Sequence, residues 1–185
     1  MFEWFRARLG RADRRLREWH EAWTAAAAEP DARLARSLRD RLDALALPEE
    51  EIEVEREMID ALHAVIDLAA DVGASGLPVI ATGHRIVGTD VCHFTAPVSM
   101  PDEPSQPSGR LLLTSRRAIF VGGRGVIVAW HAVGQAVHAN RDLLLVRHGS
   151  ATLYRFQCNT FSDAICAAFL ARRLAAARRP RTGPV

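Results

Sequence analysis

The chain has 185 residues, 49% of them hydrophobic and 25% charged, with a formal net charge of +2; this suits an ordinary globular protein of one medium domain or two small ones. No run reaches the ~18 uncharged apolar residues that a membrane-spanning helix needs, and Glu3 and Arg6 stand where a secretory signal would place its apolar core, so neither is expected. Cys92, Cys158 and Cys166 are odd in number and lack CxxC spacing, which argues against a disulfide framework and for a reducing cytoplasm.

Phe2, Phe5, Leu9, Ala12, Leu16, Trp19 and Trp23 recur at steps of three and four, the 3.5-residue seam of a helix that meets another helix. That helix is expected to stop near Ala28, because Pro30 pushes its predecessor out of the α region. Asp31 is the expected N-cap of a second helix reaching Leu45, with Leu34, Leu38, Leu42 and Leu45 along one side. Pro48 and the run Glu49–Glu51 suit the first turn of a third, whose apolar face is Ile52, Met58, Ile59, Leu62, Val65, Ile66, Ala69 and Val72. Gly73 and Gly76 mark its end. Residues 48–75 hold Arg56 against nine acids, a local charge of −8.

Beyond Gly76 the period changes from helix to strand. Residues 84–94 read as one or two strands, and the prolines and serines of 97–108 as a polar loop. Short apolar runs follow at 110–114, 117–121, 126–130, 132–138, 143–147 and 152–157, with Gly122-Gly123-Arg124-Gly125 as a hairpin turn. Asn159, Thr160 or Ser162 is expected to cap a last helix that ends at Arg178-Arg179-Pro180. Residues 109–185 hold twelve arginines against Asp142 and Asp163, a local charge of +10.

The stretch Gly109-Arg-Leu-Leu-Leu-Thr-Ser-Arg-Arg-Ala-Ile-Phe120 resembles the hairpin of GRAM and bacterial PH-like domains. The likeness extends in order over about residues 80–179: the strands at 126–137, 142–146 and 152–156, then the helix at 161–179. It implies an antiparallel β-barrel closed by a C-terminal helix, a binding platform for phosphoinositides, other anionic lipids or protein segments, with no catalytic residues. PH domains that grip inositol phosphates use several basic residues on the first two strands and the loop between them. Here residues 82–100 offer only Arg85, beside Asp90, so no headgroup site carries over.

All 24 basic residues are arginine, a bias expected of a GC-rich bacterial genome. Arginine forks also pair readily with carboxylate and phosphate. Arg110, Arg116, Arg117 and Arg124 on the hairpin, and Arg172 and Arg173 on the last helix, are the candidate contacts for a partner or an anionic lipid. Phe2, Phe5, Leu9, Leu16, Trp19 and Trp23 are the candidate helix-seam contacts. Metal ligation is not expected, since neighbouring Cys92 and His93 point to opposite faces of a strand. No GxSxG, HExxH or P-loop spacing occurs, so no catalytic residue and no cofactor is assigned.

The sequence therefore describes an α+β protein: a helical hairpin or three-helix segment over 1–75, a PH-like barrel with a C-terminal helix over 80–179, and a tail over 180–185. The expected role is a non-catalytic adaptor that engages a protein partner, its N-terminal helices giving a second contact or the seam of a homodimer. The alternative is a peripheral protein on the inner face of the membrane, held to anionic lipid by the basic domain and the amphipathic first helix. Nucleic acid is disfavoured because the strands lack an aromatic stacking pair.

Overall fold

The computed structural model describes residues 2–149 and 153–178, with side chains from Arg14 onward. The chain divides into two compact units, residues 1–67 and 68–185. The first holds α1 (Phe2–Ala28), α2 (Ala32–Asp43), a 3₁₀ turn at Glu49–Glu51, and most of α3 (Glu53–Ser75).

Local chemistry sets these ends where the sequence puts them. Asp31 caps α2: its carboxylate accepts from the backbone N–H of Arg33 at 2.8 Å and of Leu34 at 3.2 Å, two of the donors a helix start leaves unpaired. α3 begins later than expected, because the three glutamates form a separate 3₁₀ turn and the helix starts at Glu53. Gly73 stays helical, and Gly76 alone ends the element, at φ 84° with its N–H on Val72 O. Only glycine takes that backbone without strain.

The core of the first unit is aromatic at α1. Trp19 and Trp23 are buried, with Ala35, Leu38 and Leu42 of α2 and Met58, Ile59, Leu62 and Val65 of α3. Each indole N–H finds a backbone carbonyl, Trp19 on Leu38 O and Trp23 on Met58 O, both at 2.8 Å. The two rings thus tie α1 to α2 and to α3 by hydrogen bond as well as by burial.

The second unit contains one seven-stranded antiparallel sheet: β1 (Cys92–Ser99), β2 (Ser108–Thr114), β3 (Arg117–Val121), β4 (Val126–Ala129), β5 (Val133–Ala139), β6 (Asp142–Arg147) and β7 (Leu153–Cys158). Their order across the sheet is β4-β3-β2-β1-β7-β6-β5. β1 meets β7 only through Val98↔Cys158 and Ser99↔Gln157. The end strands β4 and β5 do not pair with each other, so the sheet is open and the closed barrel expected from the sequence is not formed. The chain is α+β.

The run Leu111-Leu112-Leu113 is buried throughout because it serves two cores. Leu111 and Leu113, with Ala118, Phe120, Leu143, Leu145 and Phe156, face the main core. That core is completed by α4 (Phe161–Ala177), capped by Thr160, whose Oγ accepts from Asp163 N at 3.0 Å, and by Val72 and Leu68 of α3. Leu112 and Ile119 turn to the other face, where Val87, Cys92, Ile80 and Val121 cover them. Alternation with both faces buried produces an unbroken apolar run.

The first strand corrects the sequence reading. Residues 85–87 form a 3₁₀ turn, and the strand lies at 92–99, overlapping the expected strand only at 92–94 and running into the start of the expected polar loop. Pro97 is tolerated because β1 pairs with β7 only from Val98 onward, leaving one side of the preceding residues without a partner strand. Trp130 likewise leaves its strand, for a 3₁₀ turn between β4 and β5.

Candidate functional site

The six candidate arginines do not form one patch. Arg116 and Arg117, at the β2–β3 turn, converge on Asp90, whose side chain is fully enclosed. Arg116 Nε donates to Oδ1, and Arg117 Nε donates to Oδ2 at 3.0 Å, while Thr114 Oγ1 donates to Oδ2 at 3.2 Å. Burial alone would raise the carboxyl's pKa. The hydrogen bonds from Arg116 and Thr114 and the two guanidinium charges outweigh it and hold Asp90 below the usual carboxylate range. Arg116 also reaches Thr89 Oγ1 at 2.8 Å and Arg117 reaches Ile86 O at 3.4 Å. These two arginines fasten the segment before β1 to the hairpin.

Arg110 is exposed on β2, with Nη1 on Thr95 Oγ1 at 3.3 Å. Arg124 sits at the opposite end of β3 from Arg117, in the glycine turn. It rims a pocket of about 580 Å³ whose other walls include Met100, Glu103, Pro107 and Phe120. The loop joining β1 to β2 carries Asp102 and Glu103 and no arginine, and Asp102 is drawn to Arg155 of β7 at 3.4 Å. Paired acids there disfavour a polyphosphate.

Arg172 and Arg173 lie on α4, which runs most extensively along β5. Arg173 is exposed, its guanidinium 4.8 Å over the Phe169 ring. Arg172 is half-buried, and no carboxylate pairs with it among the described residues; burial lowers its pKa. His138 on β5 is shifted down as well, first by burial and then by the charge of Arg172. A cation half out of water beside an imidazole that resists protonation is a position where a carboxylate from elsewhere would be favourable.

The strand beside them is the last in the order of the described sheet. β5 reads Val-Gly-Gln-Ala-Val-His-Ala, without proline or formal charge over seven residues, and among the described strands it pairs with β6. It carries a register shift between Val133 and Gln135 and lies alongside α4. The other edge, β4, is four residues long. Natural sheets shorten, charge or bulge their edges against chance pairing. β4 follows that practice, whereas most of β5 does not. Val137 is 39% exposed on it.

Of the helix-seam candidates, Leu16 is half-buried and Trp19 and Trp23 are consumed in the first unit's own core. The side chains of Phe2, Phe5 and Leu9 lie outside the described residues. Between α1 and α2 a groove of about 890 Å³ is walled by Ala22, Ala25, Ala26, Leu34 and Leu38, with Glu29, Asp31 and Arg41 at its rim.

Cys158 and Cys166 are pushed up to about 12, chiefly by burial, and Cys92 is raised for the same reason. A thiol so disposed is a poor nucleophile. Among the described residues no group of three or more His, Cys, Asp and Glu side chains is arranged to hold a metal ion, and no helix is long and apolar enough to cross a membrane.

Sequence reasoning missed Asp90 as the hub of the arginine cluster and β5 as the exposed edge. The sequence offered only a coarse signal for the second: residues 125–140, which span β4 as well as β5, hold no Arg, Asp or Glu. For Asp90 there was none, because its partners lie 24 to 27 positions away. No protein-family model matches the chain, and no curated protein matches it.

Proposed function

We propose that the chain is a non-catalytic adaptor that takes an extended segment of a partner protein onto the edge of β5, with the helices of residues 1–67 as a second contact. The observation that carries this is the long, uncharged, proline-free edge of β5 beside Arg172. A segment added there gains main-chain hydrogen bonds, and alternate side chains give selectivity. A carboxylate on the incoming strand would answer Arg172 and lift the penalty of its half-burial.

On this reading residues 80–179 are a GRAM- or PH-like domain. Support comes from the strand order, in which β1 joins one meander of four strands to another of three, and from the helix that follows the last strand. The lipid reading draws on the +10 charge of residues 109–185. It is weakened by the acidic β1–β2 loop and by the capture of Arg116 and Arg117 within the fold.

The test compares proteins retained from the source cell at physiological salt by the wild-type chain and by Gln135→Glu/Val137→Glu. Both positions are exposed on β5, and like charge there opposes an acidic strand. The adaptor reading expects a defined partner held by the wild type and lost from the variant, with the same far-UV dichroism for both. Equal retention would refute β5 as the site. Flotation of the wild type with anionic vesicles, reversed by salt, together with no retained protein, would replace the adaptor reading by the lipid one.

A further inference from the structure

We propose that residues 81–91 are a flap, latched by Asp90, that opens as a unit to uncover a second apolar surface on the sheet, on the face opposite α4. The surface is Leu112 and Ile119 with Cys92, and the flap covers it through Val87. The face is formed by strands paired on both sides, β2 between β1 and β3, and β3 between β2 and β4. It therefore does not depend on the flap for its own hydrogen bonds.

The flap is held at its two ends and little between. At its start His93 Nδ1–H donates to Pro78 O at 2.7 Å and Ile80 N–H donates to Cys92 O at 2.8 Å. The second of these is an isolated bridge just outside the flap, and residues 81–91 themselves belong to no strand. At its end Asp90 takes the three side-chain donors described above, and Val91 and Ser115 exchange two bonds, Ser115 N–H to Val91 O at 2.8 Å and Val91 N–H to Ser115 Oγ at 3.2 Å. From Ala81 to Ile86 nothing is buried, and the backbone turns at Gly88 with φ 60°. Segments with few buried contacts and solvated hydrogen bonds open locally, well below the cost of global unfolding.

The flap is also apolar on its outside. Val79 just before it is 77% exposed, and Ile86 and Val91 are each 41% exposed. Asp90 is the one carboxylate of the latch and orients both arginines that reach Thr89 and Ile86, so its substitution tests the latch. This inference is independent of the β5 reading, because it concerns the other face and a different segment.

The experiment uses the full chain and its natural cysteines. Alkylation under native conditions is followed by peptide mass spectrometry at Cys92, Cys158 and Cys166, for the wild type, Asp90→Asn and Arg116→Gln. The proposal expects Asp90→Asn to raise the rate at Cys92 by about tenfold or more, the order of magnitude for losing charge-assisted bonds to a buried group, with Cys158 and Cys166 unchanged. Arg116→Gln, on the exposed side of the clasp, leaves Arg117 in place and gives a smaller rise at the same thiol. Amide exchange at Val87, Gly88 and Asp90 accelerates in parallel. If all three cysteines accelerate together the opening is global, and if Cys92 is unmoved in both variants there is no latch; either result overturns the proposal.

Discussion

Asp90 shows how much one buried carboxylate can organise. It reads as an interruption in a short apolar stretch, yet it gathers Thr114, Arg116 and Arg117 and so fixes the segment before β1 against the β2–β3 turn. Its lowered pKa has a definite consequence. A group whose folded pKa lies below its unfolded value stabilises the fold above the unfolded value, near 4, and loses that contribution as pH falls through the folded one. Thermal melts of wild type and Asp90→Asn should therefore differ at pH 7 and converge toward about pH 2. A difference that persists undiminished in acid would contradict the assignment of the carboxylate as the stabilising species.

Trp19 gives a second test at this scale. Its ring is about 1% exposed and its N–H is on Leu38 O. Trp19→Phe keeps an aromatic ring but gives up the indole hydrogen bond and trims the packing. Chemical denaturation should show a loss on the order of 1–3 kcal/mol. A loss below ~0.5 kcal/mol would mean that water readily replaces the indole.

Among the elements, those governed by neighbours in sequence were legible. α1, α2 and α4 end where proline, an Asp cap and a Thr cap put them, and β2, β3, β6 and β7 lie within a residue or two of their apolar runs. The first strand was not legible. Its position depends on pairing with β2 across the proline loop, and Pro97, which reads as the start of that loop, masks the strand signal of Phe94, Thr95 and Val98. The openness of the sheet was not legible either, since whether β4 meets β5 is decided by how the strands curve rather than by the pattern along either one.

The tight entry to the β2–β3 hairpin yields a prediction for this scale. A Cβ on Gly122 would stand 2.8 Å from Ser108 O and 2.7 Å from the Phe120 ring, closer than real contacts allow. Gly122→Ala should destabilise the second unit by about 1–3 kcal/mol, the usual cost of overpacking. By contrast Asp31→Ala should cost about 1 kcal/mol in the first unit, through the lost cap. Melting curves followed at each unit's own signals separate the two effects. An unchanged melt for Gly122→Ala would show that the Phe120 ring gives way freely.

At the level of the whole molecule, the charge map read from the sequence resolves into separate uses. The arginines of residues 109–185 are divided among a clasp, a pocket rim, an ion pair of β7 with Asp142 and Asp102, and the flank of β5. The last stands beside a terminal strand of the sheet, as Arg124 stands beside the other. The candidate site was thus half legible. Arg172 and Arg173 were chosen for their charge. The edge that gives them meaning is a property of the sheet order, which no single segment encodes.

The central claim is that β5 accepts an extended acidic strand. It is tested most directly by selecting peptides from a random display library on the full chain, then mapping the selected peptide by backbone amide chemical shifts. The account expects sequences rich in Asp, Glu and β-branched residues, with the largest shifts confined to Val133–Ala139 and the neighbouring turn of α4 at Arg172. Selected peptides that perturb α1 and α2 while leaving β5 unmoved would contradict it.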